Sequence, residues 1–231
     1  MGRIPATEPE CHPPDFATEK GLRMAAHGAT ATQHKEPLSN GMLGFILFIA
    51  SEVMFFGGLF AAYFIARADS PQWPPKDVLE QMKVAGTAAQ SAELKLEVAL
   101  PLIATCILVL SSFTVQWAVM QIQKGNRTGL IWGLFISIAL GLTFLTMQMY
   151  DYSQLPFSSG DTVWATAFYT LTGFHGAHVA GGAIFMSVCL VRAMGGQFSA
   201  EHHEAVEAAS FYWHFVDVVW IALFTTLYIV G

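Results

Sequence analysis

Five stretches of continuous apolar residues, at about 41–66, 97–120, 129–149, 163–191 and 209–230, constrain this chain more than any other feature. A bilayer core is about 30 Å thick, so a spanning helix needs roughly 20 mostly apolar residues. Each run meets that length. None alternates polar with apolar, which argues against barrel strands. A helix satisfies every backbone polar group within its own span. The expected fold class is therefore an all-α polytopic membrane protein, five transmembrane helices in a bundle. Composition agrees: 54% of the 231 residues are apolar and 12% charged, against about 25% charged in ordinary soluble domains.

The segments between the runs read as loops. Residues 67–96 carry Ser70, Pro71, Pro74 and Pro75, then a polar stretch from Lys76 to Lys95. Residues 121–128 hold Lys124, Gly125 and Arg127; 150–162 hold Pro156, Ser158, Ser159 and Gly160; 192–208 are rich in His and Glu. Residues 1–40 have no apolar run, so no signal peptide is expected. They read as a polar, poorly ordered tail before a 41–231 membrane domain. His12, His27 and His34 lie in that tail, where solvated side chains outweigh a metal or proton-collecting role. The net charge of −6 leaves no basic stripe, so no nucleic-acid partner is expected. Cys11, Cys106 and Cys189 form no CxxC pair, so neither a disulfide framework nor a zinc site is indicated.

Lys and Arg set the expected orientation. Arg3, Lys20, Arg23, Lys35, Lys124, Arg127 and Arg192 fall on one side, and Arg67, Lys76, Lys83 and Lys95 on the other. The split favours a cytoplasmic N-terminus and an outside C-terminus. Trp and Tyr near span ends (Tyr150, Tyr152, Trp164, Tyr212, Trp213, Tyr228) read as interfacial anchors. Gly173, Ala177 and Gly181, with Gly176 and Ala180 beside them, suggest close helix approach, as do Gly57, Gly58, Ala61 and Ala62.

Ionisable groups inside spans are costly and become functional candidates. Glu52 lies about 17 Å deep, near the midplane. A proton-handling carboxyl and a structural, hydrogen-bonded carboxyl are equally open readings. His175 and His178 share one side of the fourth run, as His214 and Asp217 do in the fifth. Paired histidines invite a haem or di-metal reading, but His214 lies about 8 Å from its inner end and His175 and His178 roughly 20–24 Å from theirs. Two axial ligands of one haem sit at one level. No metal site is therefore expected, and cross-helix pairing is the simpler reading. Glu52 and His178 come out at similar levels, so the first and fourth spans are expected to touch there. His202 and His203 sit at the inner surface. Arg192 closes the fourth span, either as a lipid-phosphate contact or as a topology-setting charge. These residues leave three classes open: a non-catalytic subunit, a transporter or proton channel, and a haem protein.

The strings GFILFIASEVMFFGGLFAAYF (44–64), WPP (73–75), GFHGAHVAGG (173–182) and EAASFYWHFVDVVWIALFTTLYIVG (207–231) closely resemble subunit III of haem–copper cytochrome c oxidases. The resemblance runs in order from about residue 41 to the end and leaves the tail outside. It implies a bacterial plasma-membrane oxidase of the aa3 type, which reduces oxygen with electrons from cytochrome c and pumps protons. It implies no redox centre in this chain: haem a, haem a3 and copper belong to partner subunits. The implied partners are catalytic subunit I, subunit II, small subunits and structural phospholipid, with cytochrome c docking elsewhere. Glu52 matches the family carboxyl that reacts with a hydrophobic carbodiimide, a reagent that needs a protonated carboxyl in an apolar setting. Arg192 matches a lipid-contacting arginine. His175, His178, His203, Glu207, His214 and Asp217 match positions with mainly structural roles. Many members have seven spans, the first two splayed to form a lipid cleft; five are visible here. Five also occur in the quinol-oxidase version, although SEVMFF is nearer the cytochrome c branch. A relative accompanying nitric oxide reductase is the more remote resemblance.

Overall fold

A computed structural model describes residues 40–70, 73, 98–155 and 157–230. The tail reading for residues 1–39, with its three histidines, and the polar stretch from Lys76 to Lys95 lie outside the described residues. All regular structure among the described residues is helical. The elements are α1 (Asn40–Ala68), α2 (Ala99–Gln123), α3 (Arg127–Gln154), α4 (Val163–Met194) and α5 (Glu204–Phe224), the last running on through a π-helical turn at Thr225–Ile229. All five are long and apolar enough to cross a membrane.

The predicted spans match these helices to within three residues at most ends. Two ends differ by five residues: α5 begins at Glu204 rather than 209, and α3 ends at Gln154 rather than 149. Glu204 and Glu207 occupy its first turn, where carboxylates favour the positive end of a helix. A hydropathy window sees those charges as loop. α3 likewise runs to Gln154, past the apolar run, because its last turn is polar and still hydrogen-bonded.

Local chemistry fixes the helix ends. The Asn126 side chain accepts from the Gly129 amide and starts α3; Thr162 does the same for α4 through the Ala165 amide. Gly125 and Gly196, the left-handed residues, follow α2 and α4. Arg127, in the first turn of α3, donates to the carbonyls of Ala193 (2.8 Å) and Met194 (2.6 Å). It thus places a cation on the open carbonyls of α4.

Helices α2, α3, α4 and α5 pack in a closed ring, each against two others, while α1 lies outside it against α4 and α5. The ring is keyed by Trp213 of α5, which is fully buried. Its indole passes so close to Gly141 of α3 and Gly182 of α4 that a Cβ there would come within 2.6 and 2.8 Å of the ring. Its N–H donates to Ser111 Oγ of α2 at 2.8 Å. One side chain therefore touches all three other ring helices. The interfacial-anchor reading is corrected here for Trp213, Trp164 and Tyr212, which are buried in the core; Tyr152 and Tyr228 are partly buried against it, and Tyr150 is exposed. Gly141 and Gly182 receive the Trp213 ring, and Gly181 and Gly182 lie against Tyr212.

The small-residue reading is corrected as well. Gly173, Gly57 and Gly58 face open space, and Ala177 is exposed. The close contacts use Gly176, which meets Gln148, and Gly182. The α2/α3 seam uses Gly129 and Gly133, four residues apart, against Gln121 and Ala118. That spacing is a GxxxG pattern, legible in the sequence.

Candidate functional site

Two polar systems lie at membrane depth, on opposite edges of α5's neighbourhood. The first joins α1 to α4. Glu52 Oε2 lies 2.9 Å from His178 Nε2, and His178 Nδ1 lies 2.7 Å from the Phe174 carbonyl oxygen one turn back. The contact expected from depth alone is thus present. Both side chains are partly buried, at 16% exposure for His178 and 21% for Glu52. Aromatic rings enclose them: Phe56 meets the imidazole edge-on at 4.9 Å between centroids, and Phe55 and Tyr212 stack beside it at 6.3 and 6.5 Å.

The second system joins α2 to α5. Ser112 Oγ donates to Asp217 Oδ2 in a close contact and stands 3.0 Å from His214 Nδ1. His214 Nε2 lies 3.2 Å from Gln116 Oε1 and 3.3 Å from Ser210 Oγ. His214 and Asp217 therefore meet through Ser112 rather than each other. Toward the N-terminal end of α5, Gln123 donates to Glu207 (3.3 Å), which also contacts His203 Nε2 one turn before it (3.1 Å). Gln116, Gln123, Glu207, Ser210 and His214 line a groove of about 230 Å³. The sequence reading missed Ser112 and Gln116. They sit four apart on α2 facing the His214 side of α5, so the signal was a matching polar row on a second helix.

His175 stands apart from both systems. It is fully buried, and neither ring nitrogen has a hydrogen-bond partner. Its ring stacks on Trp220 at 4.9 Å and meets Phe144 edge-on at 5.8 Å. The pairing expected for it is therefore corrected to aromatic stacking. Its neighbourhood on α3 and α4 is instead bonded through Gln148, whose amide donates to the Thr172 carbonyl (2.9 Å) and to Tyr152 (3.1 Å). Arg192 donates to Gln197 Oε1 at 2.9 Å and lies 4.9 Å over the Phe198 ring.

No three His, Cys, Asp or Glu side chains gather at a point that could hold an ion among the described residues. The ring nitrogens of His178 and His214 are held by the contacts above. These residues do not fit a haem or di-metal centre. A second cleft, about 560 Å³, lies between the C-terminal half of α1 and the start of α4, lined by Tyr63, Thr162, Thr166 and Thr170 among apolar side chains.

The family model described as Cytochrome c oxidase subunit III matches residues 20–231. It reaches further back than the resemblance from residue 41, into the stretch read as a tail. Among similar proteins are cytochrome c oxidase subunit 3 of Locusta migratoria (39% identical over 201 residues, 84% of this chain and 71% of that one) and of Scyliorhinus canicula (39% over 209 residues, 87% and 74%). That of Cyprinus carpio is 40% identical over 209 residues, covering 87% and 74%.

Proposed function

The chain belongs to the cytochrome c oxidase subunit III family, and from that premise we propose that it is the non-redox third subunit of a proton-pumping aa3-type oxidase. The carrying observation is a family match that runs through all five spans. In this reading the haems and copper that reduce oxygen belong to partner subunits. This chain contributes assembly, lipid binding and support of proton uptake by catalytic subunit I. Its place is a bacterial plasma membrane, N-terminus cytoplasmic and C-terminus outside.

Three features support the reading. Gln116 and Gln123 are exposed beside a half-exposed Glu207 and His214 on the α2/α5 face. Lipid tails offer such groups no hydrogen bonds, whereas a partner subunit can. α1 presents a long apolar face, with Leu47 and Met54 at 64% and 78% exposure, suited to lipid or to another transmembrane chain. Arg192 sits at the end of α4 with Phe198 beneath it, where a guanidinium suits a lipid phosphate. Glu52 is the proton-linked carboxyl in this account. His175, His178, His203, Glu207, His214 and Asp217 serve structure.

The test is extraction of the native complex in mild detergent through a tag on this chain. A reduced-minus-oxidised spectrum with an a-type haem signal, copper, and a large polytopic companion is expected. Oxidation of cytochrome c rather than quinol then fixes the donor. A colourless chain that emerges alone would overturn the proposal and favour a self-standing transporter.

A further inference from the structure

Beyond the structural work given to them above, His214 and Asp217 are joined by an atom that can carry a proton. Ser112 Oγ lies against Asp217 Oδ2 and 3.0 Å from His214 Nδ1. A hydroxyl has one hydrogen and two lone pairs. When Ser112 donates to the carboxylate, it accepts from an N–H at Nδ1. When it donates to a bare Nδ1, it accepts from an O–H on Asp217. The direction of one bond therefore sets the direction of the other.

The far side of the imidazole completes the pattern. His214 Nε2 lies 3.2 Å from Gln116 Oε1 and 3.3 Å from Ser210 Oγ. An amide oxygen only accepts, so it receives a hydrogen carried on Nε2; when Nε2 is bare, the Ser210 hydroxyl turns to donate to it. Both neutral tautomers are thus provided for. The Nε2–H form leaves Nδ1 bare and keeps a proton on Asp217. The Nδ1–H form turns Ser112 toward Asp217 and leaves a carboxylate there.

The two ends differ in access. Asp217 is 7% exposed, and its Oδ1 is buried without a partner. His214 instead lines the groove of about 230 Å³ with Gln116, Ser210 and Glu207. Other titratable groups on the packed helices are engaged elsewhere. α2 holds no Asp, Glu, Lys, Arg or His. On α4, His175 stacks on Trp220, and His178 meets Glu52 of α1 with Tyr212 stacked beside it. Glu207, in contact with His203, is the carboxyl that lines the groove.

We propose that Asp217, Ser112 and His214 form a proton relay linking a buried carboxyl to the α2/α5 groove. A proton leaves Nε2 for water in the groove. Ser112 passes its hydrogen to Nδ1, and the Asp217 O–H hydrogen replaces it on Oγ. The products are an Asp217 carboxylate, a neutral Nδ1–H imidazole and a protonated water; uptake at Nε2 runs the same steps in reverse. The relay uses this chain's own side chains and goes beyond the proposed function, on which it rests only for the complex in which it is tested.

The test is infrared spectroscopy of the intact complex with ¹³C-labelled aspartate and ¹⁵N-labelled histidine as the pH is raised. Asp217→Asn and His214→Gln assign the bands. In wild type the Asp217 acid band is expected to vanish at the midpoint where His214 changes from Nε2–H to Nδ1–H. Ser112→Ala is expected to separate the two midpoints by about one pH unit or more, and Ser112→Thr, which keeps a hydroxyl, to leave them together. Where Ser112→Ala does not assemble, Ser112→Cys fills the site with a weak donor and separates them too. Four results overturn the relay: separate midpoints in wild type, a shared midpoint that survives loss of the hydroxyl, one His214 tautomer throughout, or no Asp217 acid band at any pH. An a-type haem spectrum with separate midpoints sinks the relay and leaves the proposed function. A shared midpoint in a chain that extracts alone does the reverse.

Discussion

Helices α1 and α5 invert the rule that apolar residues go inside. In its most apolar window α1 has a mean hydropathy of 2.1 and 6% of its residues buried; α5 has 1.3 and 56%. In water the first would be the core helix. In a bilayer lipid solvates an apolar face as well as another helix does, so hydropathy carries no drive toward the bundle interior. Burial follows instead from what lipid cannot supply: slots for large rings and partners for polar groups. α5 brings Trp213 into the slots at Gly141 and Gly182, Trp220 N–H to Thr105 Oγ1, and Asp217 to Ser112. α1 buries only Phe56 and Tyr63.

The largest effect is therefore expected on the α5 side. Trp213→Ala empties a site that touches α2, α3 and α4 and removes the bond to Ser111. A loss of about 3–5 kcal/mol is expected, as for other fully buried Trp truncations. It would be measured as a lower dissociation temperature and poor recovery of the chain with its complex. Normal recovery and an unchanged dissociation temperature would show that the ring is not keyed by this residue. Next comes Ser112→Ala, which takes the hydroxyl from Asp217 Oδ2 while Oδ1 already has no partner. Stranding a buried polar group costs about 1–3 kcal/mol, so this variant should sit between wild type and Trp213→Ala in the same assay.

Sequence made the helices legible because lipid thickness and helical rise fix their length. The Glu52–His178 contact was legible for the same reason: two depths counted along helices coincide. The identity of the core was not. Trp213 and Tyr212 sit near a span end, and position alone cannot tell a ring in a headgroup layer from one between glycines. That choice depends on whether a glycine on another helix stands at the same level, which needs the ring order α2–α3–α4–α5. His175 was misread because its three-residue spacing from His178 was taken as a shared face. The helix turns about 100° per residue, which leaves enough angle for one imidazole to face α1 and the other Trp220.

On the α1 side, the specific attachments among the described residues are few. Glu52 bonds His178, and Arg67 donates to the Val230 carbonyl at 2.8 Å. Arg67→Ala is expected to cost about 0.5–1.5 kcal/mol, the net worth of one hydrogen bond. It should leave the spectrum and subunit content of the complex intact while raising proteolytic or hydrogen-exchange access at the C-terminal end of α1. Equal exchange in variant and wild type would place the hold on α1 elsewhere.

The smallest effect carries the most information about what α1 faces. Met54 is 78% exposed although it stands beside Val53 and Phe55 in the middle of an apolar helix. Within this chain Met54→Ala removes almost no contact, so its intrinsic cost should stay within about 0.5 kcal/mol. Against lipid that remains true, because fluid chains refill the space left by the shorter side chain. Against a packed partner helix the same truncation leaves a cavity, and the cost rises to about 2–5 kcal/mol. Comparing dissociation of this chain from the complex for Met54→Ala and for Val53→Ala, also exposed, reads the two environments directly. Near-zero effects at both positions assign this face to lipid. A loss of several kcal/mol at either assigns that stripe to a neighbouring subunit, and α1 then becomes a buried helix of the complex, as α5 is of the chain.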